Sequence, residues 1–430
     1  MSTISRVLAR EVLDSRGTPT VEVDVILADG AIGRALVPSG ASTGSNEALE
    51  LRDGDARFGG LGVMKAIANV HREIAPAIVG LSALEQQSVD ETLIRLDGTL
   101  DKSRLGGNAM VGVSIATARA AAASSRVPLY RYLSDGEPLT LPVPMFNILN
   151  GGRHAEDSTD FQEFMVVPAG FDTFREALRA GAEVYQSMKR LMRERGFGTT
   201  VGDEGGFAPG GITNRDAVGL VTDAIEGAGY IPGEHCFVAL DVAASEFVQD
   251  DGTYLLQSEG LTLTSEGLID TYEAWLSDYP IISIEDGMGE ADWDGWTAMT
   301  ERLGYRVSLV GDDLYTTNPA LIRRGIETGA SNSVLIKLNQ IGTVTETLEA
   351  IRISSQTGWG TIISHRSGET EDTTVADLAV GTAAGQIKAG APARGERTAK
   401  YNRLLRIEEE LGTGAEFAGR SVYSRLANSH

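Results

Sequence analysis

A lysine lies in the middle of a predicted buried strand in the C-terminal half of the chain. Residues 333–342 (SVLIKLNQIG) begin with β-branched and aliphatic side chains, which predict a short strand, and Lys337 interrupts them. Burial disfavours the charged form of an amine, so a buried lysine is usually paired with an acid. Two interpretations follow. Either Lys337 reaches a neighbouring acid from a strand end, or it is a basic amine at the mouth of an α/β barrel.

Acidic side chains end several other predicted strands. Asp241, Glu285 and Asp312 each follow a separate strand, and three converging carboxylates repel one another unless a cation lies between them. Hard oxygen ligands suit Mg²⁺, whereas the five histidines lack zinc-type spacing. An acid at a strand end is often a helix cap, but a set on so many strands favours one shared site. The other charged or titratable residues at or near strand ends are Glu163, Asp203, Glu204, Asp313, Lys337, His365, Arg366 and Lys388.

Strand and helix patterns alternate from residue 143 onward, which predicts a parallel α/β barrel whose strands all open on one face. The predicted strands are 143–149, 163–167, 199–203, 237–242, 281–285, 307–311, 334–338 and 361–364. The predicted helices between them are 172–195, 215–228, 265–278, 318–328 and 343–357.

The N-terminal part has a different pattern, which predicts an α+β capping domain. Its predicted strands are 4–10, 20–27 and 31–37, and its predicted helices are 59–79, 85–96 and 107–124. The three strands suggest an antiparallel meander, and the alternation of the second predicts one solvent-facing side. Residues 38–45 (PSGASTGS) are small and polar, as in a surface loop or in a mobile lid that offers hydroxyl and N–H groups to an anion or metal. A cluster of Ser, Asp, Gly and Pro within 133–142 predicts domains at 1–136 and 137–430.

Composition excludes several classes of function. The net charge of −23 argues against nucleic acid and anionic membranes as partners, and an anionic substrate would need local positive charge. No membrane span and no secretory signal are expected. A single cysteine, Cys236, fits a reducing, cytoplasmic compartment and is expected to be buried and inert.

Over essentially its whole length the sequence resembles the enolase (phosphopyruvate hydratase) family, of the bacterial type. The stretches that carry the resemblance are 14–17 (DSRG), 37–44 (VPSGASTG), 150–152 (NGG) with His154 and Ala155, 162–165 (QEFM), 202–209 (GDEGGFAP), 240–246 (LDVAASE), 311–314 (GDDL), 337–342 (KLNQIG), 364–372 (SHRSGETED) and 399–402 (AKYN). Enolase-type sites use a Lys or His base together with Mg²⁺. The resemblance implies a lyase that interconverts 2-phosphoglycerate, a phosphorylated hydroxy acid, with phosphoenolpyruvate and water in glycolysis and gluconeogenesis. It also implies two Mg²⁺ per active site and a homodimer or higher homo-oligomer.

The resemblance further implies a role for each matching residue. Lys337 would remove the α-proton, and Glu204 would act as general acid on the departing hydroxyl group. The other implied catalytic residues are Glu163, His154 and His365. The implied metal ligands are Asp241, Glu285 and Asp312 for one ion, with Ser42 for the second. The implied substrate-binding residues are Gln162, Arg366, Ser367, Lys388, Ser42, His154 and Glu163.

The sequence departs from the family pattern mainly in loops. Gly287 stands where the family usually has Pro, residues 153–160 lack the Asn residues often found there, and residues 105–108 and Gly395 also differ. These changes leave room for a paralogue that dehydrates a phosphono or carboxyphosphono analogue of 2-phosphoglycerate. An acid-sugar dehydratase would need neither the Ser42 segment nor a phosphate grip, and a glycosidase would have no use for Lys337. A non-catalytic relative would be expected to have lost the lysine or a metal acid.

Overall fold

The computed structural model describes residues 2–41, 43–134, 136, 138–155 and 158–426, and describes only the backbone of His154. A three-stranded sheet with helices forms the N-terminal part, and a closed barrel of eight strands forms the remainder. The expected fold class, an α/β barrel with an N-terminal α+β domain, is therefore confirmed. Among the residues that the structure describes, no helix is long and apolar enough to cross a membrane.

The N-terminal sheet is an antiparallel meander covered by one long helix. Its strands are β1 (Ile4–Leu13), β2 (Pro19–Leu27) and β3 (Ile32–Leu36). The helices are α1 (Met64–Asn69), α2 (Ala75–Ile78), α3 (Gln86–Asp97), α4 (Gly107–Ser125) and α5 (Leu129–Leu133). Helix α4 lies so close to the sheet that a Cβ on Gly33 would stand 2.0 Å from the carbonyl oxygen of Ala116. Only glycine permits this approach.

Two expectations for this domain were wrong. Strand β2 is buried on both faces, because Glu22 and Asp24 form ion pairs with Arg10 and Arg34 instead of facing solvent. The predicted helix 59–79 begins only at Met64 and includes a π-helical segment, Val70–Ile74. The chain before it forms a short 3₁₀ turn, since glycines there favour backbone conformations that an α-helix excludes.

The barrel strands come from the whole C-terminal part. The strands after the boundary are β4 (Thr140–Leu141), β5 (Val143–Asn150), β6 (Glu163–Val167), β7 (Phe237–Asp241), β8 (Tyr254–Leu256), β9 (Leu261–Leu263), β10 (Ile281–Glu285), β11 (Ser308–Gly311), β12 (Ser333–Ile336), β13 (Gly360–Ser364), β14 (Gly385–Lys388) and β15 (Glu416–Phe417). The barrel order is β5-β6-β7-β10-β11-β12-β13-β14, closing back on β5. The short strands β4 and β15 pair with each other, and so do β8 and β9.

The barrel differs from the predicted one in two respects. Residues 199–203 form no strand of the barrel. Val201 instead forms an isolated bridge with Phe207 across a tight turn at residues 202–206, where Gly205 takes a left-handed conformation. The eighth strand is instead β14, whose single aliphatic side chain, Ile387, gives little strand signal. In addition, β6 runs antiparallel to both of its neighbours.

The reversed direction of β6 matters for the position of Glu163. This residue begins its strand instead of ending it, and its register partners are Asn150 at the end of β5 and Asp241 at the end of β7. A residue at the start of an antiparallel strand lies at the same end of a sheet as residues that end the neighbouring strands. Glu163 therefore lies at the same mouth of the barrel as the acids that end the parallel strands.

Helices surround the barrel and complete the core. They are α6 (Phe174–Glu194), α7 (Asn214–Gly227), α8 (Ser265–Asp278), α9 (Trp293–Leu303), α10 (Pro319–Thr328), α11 (Leu338–Ile341), α12 (Val344–Gln356), α13 (Thr374–Gly381) and α14 (Gly395–Leu411). One apolar core lies between the helices and the barrel and continues into the N-terminal domain, and a second, smaller core fills the barrel interior. Cys236 is buried, as expected.

Candidate active site

Lys388 gathers three acids at one mouth of the barrel. Its Nζ atom lies 2.8 Å from Oδ2 of Asp241 and 2.9 and 3.0 Å from the two carboxylate oxygens of Glu285. Oε1 of Glu163 is 3.5 Å away. All four side chains are at least 95% buried. Three strands of the barrel, β6, β7 and β10, therefore each bring an acid to the ammonium group at the end of β14.

The acids that end β7, β10 and β11 do not cap the helices that follow them. Helix α8 is capped by Thr264, α9 by Asp292 and α10 by Asn318. Helix capping is the ordinary structural reason for an acid at the end of a strand. The carboxylates of Asp241, Glu285 and Asp312 do not cap these helices, so capping does not explain them.

Lys337 lies immediately after β12 and forms an ion pair with Asp312. Oδ1 of Asp312 also accepts a 2.8 Å hydrogen bond from Nε2 of Gln340. Burial works to lower the pKa of Lys337, but the neighbouring carboxylates, Asp312 first and then Glu285, raise it, and the pKa lies above the ordinary lysine value. Both predicted interpretations of this lysine meet here, because it pairs with an acid and also lies at the barrel mouth.

Negative charge is in excess in this mouth. Burial, and then the charge of Glu204, raises the pKa of Glu163 well above its usual range. Burial and the charge of Asp241 raise the pKa of Glu285 to about 8. Lys388 opposes both increases but is shared among all of these acids. The donor set is hard oxygen, buried and short of positive charge, and this combination fits a divalent cation such as Mg²⁺.

A second group of acids adjoins the first. Carboxylate oxygens of Asp286, Asp312 and Asp313 lie within 4.8 Å of one another and could hold a metal ion. The two oxygens of Asp286, however, accept 2.9 Å hydrogen bonds from the backbone N–H groups of Asp312 and Asp313. Asp286 therefore fixes the loop after β11, and Asp312 is the member that this group shares with the predicted metal ligands.

Glu204 lies beside a neutral histidine. Nε2 of His365 is 3.1 Å from Oε2 of Glu204, and Nδ2 of Asn147 is 3.4 Å from the same oxygen. Burial lowers the pKa of His365 to about 4, although the Glu204 charge opposes this change. A hydrogen bond between Glu163 and Glu204 contributes to the raised pKa of Glu163. The two glutamates therefore form a buried carboxyl pair in which burial and mutual repulsion favour retention of a proton.

Arg366 connects the barrel to the N-terminal domain. Its two terminal nitrogens bind the carboxylate of Glu47 at 2.8 and 3.1 Å, and Nη1 also donates to Oδ1 of Asn339 at 3.1 Å. Next to it, Oγ of Ser367 accepts a 2.7 Å hydrogen bond from the backbone N–H of Ala41. The small-residue segment 38–45 therefore contacts the basic side of the site.

The structure brings most of the predicted site residues together. A small cavity is lined by Gln162, Glu163, Glu204, Asp241, Lys337, Ser364, His365, Arg366, Ser367 and Lys388. Glu285 and Asp312 join it through the two lysines. Ser42 and the side chain of His154 lie outside the part of the chain that the structure describes.

Among the described residues, side chains that contact this set and that sequence reasoning missed include Glu47, Asn147, Asn339, Gln340 and Arg397. Asn339 and Gln340 follow Lys337 directly, so their position beside the lysine was an available signal. Arg397 is a helix residue, and nothing in its neighbourhood along the chain distinguishes it from a surface arginine.

Two family models match the chain. The model described as the enolase N-terminal domain matches residues 4–133, and the model described as the enolase C-terminal TIM barrel domain matches residues 138–426. The matched ranges together cover nearly all of the sequence.

Proposed function

We propose, from the premise that this chain belongs to the enolase family and is a lyase of that superfamily, that it interconverts 2-phosphoglycerate with phosphoenolpyruvate and water. The observation that carries the proposal is the convergence of Asp241, Glu285 and Glu163 on Lys388, with Lys337 beside them on Asp312. A site so rich in buried acids and amines suits removal of a weakly acidic proton next to a carboxylate.

Two residues divide the proton transfers in this proposal. Lys337 removes the proton from C2 of the substrate, and Glu204 donates a proton to the hydroxyl group that leaves C3 as water. The electron pair of the broken C–H bond forms the C2–C3 double bond. The proposal is supported by the presence of both side chains on one cavity and by the raised pKa of Glu163, which favours a proton on the Glu163–Glu204 pair.

Asp241, Glu285 and Asp312 would hold one Mg²⁺ ion, and Ser42 would contribute to a second. When bound, Mg²⁺ supplies positive charge that lowers the cost of a second negative charge on the substrate carboxylate and weakens the hold of Asp312 on the Lys337 proton. The chemistry of the three buried carboxylates supports this assignment.

Arg366 and Ser367 would bind the phosphate group. A planar guanidinium suits two oxygens of one phosphate, and Arg366 is already held in a bidentate pair by Glu47. Arg366 also borders a cavity of about 370 Å³ lined by residues of the segment 37–50. His154, His365, Gln162 and Lys388 complete the proposed contacts, and the segment 38–45 would close over the substrate.

Exchange of the substrate α-hydrogen with solvent tests the proposal. In deuterated buffer with Mg²⁺, the wild-type protein should form phosphoenolpyruvate and should also exchange the C2 hydrogen of 2-phosphoglycerate. Lys337→Ala should lose both reactions. Glu204→Gln should lose product formation but keep exchange, because the proton is still removed and returned.

Exchange at the wild-type rate in Lys337→Ala would show that another group is the base. If the wild-type protein forms no product from 2-phosphoglycerate in an exhaustive assay, the proposed substrate is rejected. The same Lys337 and Glu204 variants would then be assayed on the analogues of the second candidate.

That second candidate is dehydration of a phosphono or carboxyphosphono analogue of 2-phosphoglycerate. It is favoured by the departure of residues 153–160 from the family pattern, because several of these residues line a surface cavity of about 650 Å³. A higher kcat/KM for such an analogue than for 2-phosphoglycerate would select this candidate. In either case we propose a domain boundary at residues 136–137, a homo-oligomeric assembly and a cytoplasmic role in central or specialised metabolism.

A further inference from the structure

Arg397 is buried behind the candidate active site. It belongs to α14, is 0% exposed, and its guanidinium donates hydrogen bonds to the backbone carbonyls of Asp203 (3.1 Å), Arg366 (2.5 Å) and Ser367. Its Nη1 atom also lies 2.5 Å from Nδ1 of His365. One side chain thus contacts the loop that carries Glu204 and the loop that carries His365.

The contact with His365 determines which ring nitrogen carries the proton. A guanidinium has only donor N–H groups, so Nδ1 of His365 must be the acceptor. A neutral imidazole has one N–H group, and it must therefore be on Nε2. Burial and the neighbouring Arg397 charge lower the pKa of His365, which favours this neutral ring.

The proton on Nε2 faces the proposed general acid. Nε2 lies 3.1 Å from Oε2 of Glu204, and the amide nitrogen of Asn147 approaches the same oxygen at 3.4 Å. The imidazole and that oxygen do not have the alignment of a full hydrogen bond in this structure. Two donors nevertheless approach Oε2, so this oxygen is an acceptor and a proton on Glu204 is carried by Oε1.

We infer that Arg397 is a positioning residue that holds His365 as the Nε2–H tautomer and so directs the acidic proton of Glu204 to Oε1. The role assigned to Glu204 rests on the proposed function, whereas the tautomer of His365 does not. Loss of Arg397 frees Nδ1 to take the proton, and the ring then presents a lone pair to Oε2. Glu204 can then place its proton on Oε2 and give it to the histidine instead of to the leaving group.

A purely structural role for Arg397 makes a different prediction. The same guanidinium joins two loops through three carbonyls, and a variant that only loosens those loops would lose stability without a change in the tautomer of His365. The tautomer itself is therefore the observable that separates the two roles.

The experiment uses the full chain labelled with ¹⁵N-histidine and long-range ¹H–¹⁵N spectra. His365→Gln identifies the signals of His365 by their disappearance. In the wild-type protein we expect a protonated Nε2 and an unprotonated Nδ1, unchanged from about pH 5 to pH 8, the range in which an ordinary histidine titrates. In Arg397→Met we expect signals averaged between the two tautomers, because no donor then occupies Nδ1.

Turnover supplies the second readout. In Arg397→Met, kcat for dehydration should fall by about 10- to 100-fold, a fraction of what general acid catalysis contributes, with KM changed little. Arg397→Lys retains a cation that can only donate, so it should retain the Nε2–H tautomer. Arg403→Met is the matched control, because Arg403 lies on the same helix and pairs with Asp377 away from His365, and it should keep the wild-type tautomer and kcat.

Two results would overturn the inference. A proton on Nδ1 of His365 in the wild-type protein refutes it without any variant, even if Arg397→Met fails to fold. An unchanged Nε2–H tautomer in folded Arg397→Met also refutes it. Failure of the wild-type protein to turn over 2-phosphoglycerate would reject the proposed substrate and leave the tautomer result standing.

Discussion

Replacement of Glu47 by glutamine tests the charge balance between the N-terminal segment and the barrel. The side chains of Arg366 and Glu47 are 3% and 8% exposed, and both terminal nitrogens of the guanidinium contact the carboxylate. Glutamine keeps the size of the side chain but removes its charge and one of its two acceptors. Removal of one partner from a buried ion pair costs about 3–5 kcal/mol, because the remaining charge stays buried. Asn339 and the glutamine oxygen still accept from Arg366, so we expect a loss of about 3 kcal/mol.

Phosphate should partly restore the stability of Glu47→Gln. In the wild-type protein a bound phosphate must share the guanidinium with Glu47, whereas in the variant it supplies the missing negative charge. A ligand that binds only the folded state stabilises it in proportion to its affinity. Inorganic phosphate and 2-phosphoglycerate should therefore increase the free energy of unfolding more in the variant than in the wild-type protein.

Urea unfolding with and without phosphate measures both effects. Glu73→Gln is the matched control, because Glu73 lies in the same domain but pairs with Arg104 at the surface, where the two side chains are 41% and 42% exposed, and it should change stability by less than about 1 kcal/mol. If Glu47→Gln is as stable as the wild-type protein, and phosphate stabilises both equally, Glu47 is not the counter-charge of Arg366.

Three further predictions concern other parts of the molecule. Burial raises the pKa of Cys236 to about 12, so its thiolate is scarce at pH 8. A disulfide reagent should therefore label Cys236 only in urea, and rapid labelling of the native protein would contradict its burial. A Cβ on Gly181 would lie 2.2 Å from the ring of Phe146. Gly181→Ala should therefore lower the free energy of urea unfolding by about 1–3 kcal/mol, although alanine has the higher helix propensity. An equally stable variant would show that the ring can move. Exhaustive chelation should abolish turnover and lower the melting temperature until Mg²⁺ is restored, because it leaves like charges unpaired; full activity after chelation would reject the metal assignment.

Much of the fold could be predicted because its signals are local. Aliphatic runs at 237–241, 281–285 and 333–336 were recognisable as strands from a few adjacent residues, and the acids and the lysine that follow them lie next to those runs in the sequence. Because barrel strands open at one end, these runs predict that the side chains lie together. The family resemblance rests on the same stretches.

The errors arose where local signals were weak or misleading. Strand β14 has one aliphatic residue and was missed, whereas residues 199–203 contain a strand-like pattern that ends in a tight turn with a left-handed glycine, Gly205. The antiparallel direction of β6 leaves no mark on its sequence, because β6 is buried at every position, like the parallel strands β5 and β7 beside it, and so shows the same continuous apolar run. The buried faces of β2 were missed because Glu22 and Asp24 suggest solvent unless their arginine partners are known.

The sequence by itself therefore determined which residue types stand at the barrel mouth, and from these the class of chemistry. The tertiary structure decided which of those residues are partners. Glu47 and Arg366 are 319 positions apart, and Arg397 reaches the Asp203 carbonyl across 194 positions. Such pairings depend on how the N-terminal domain and α14 pack against the barrel. No periodicity or spacing along the chain encodes them, because the distance between two side chains is set by the whole fold and not by the residues between them.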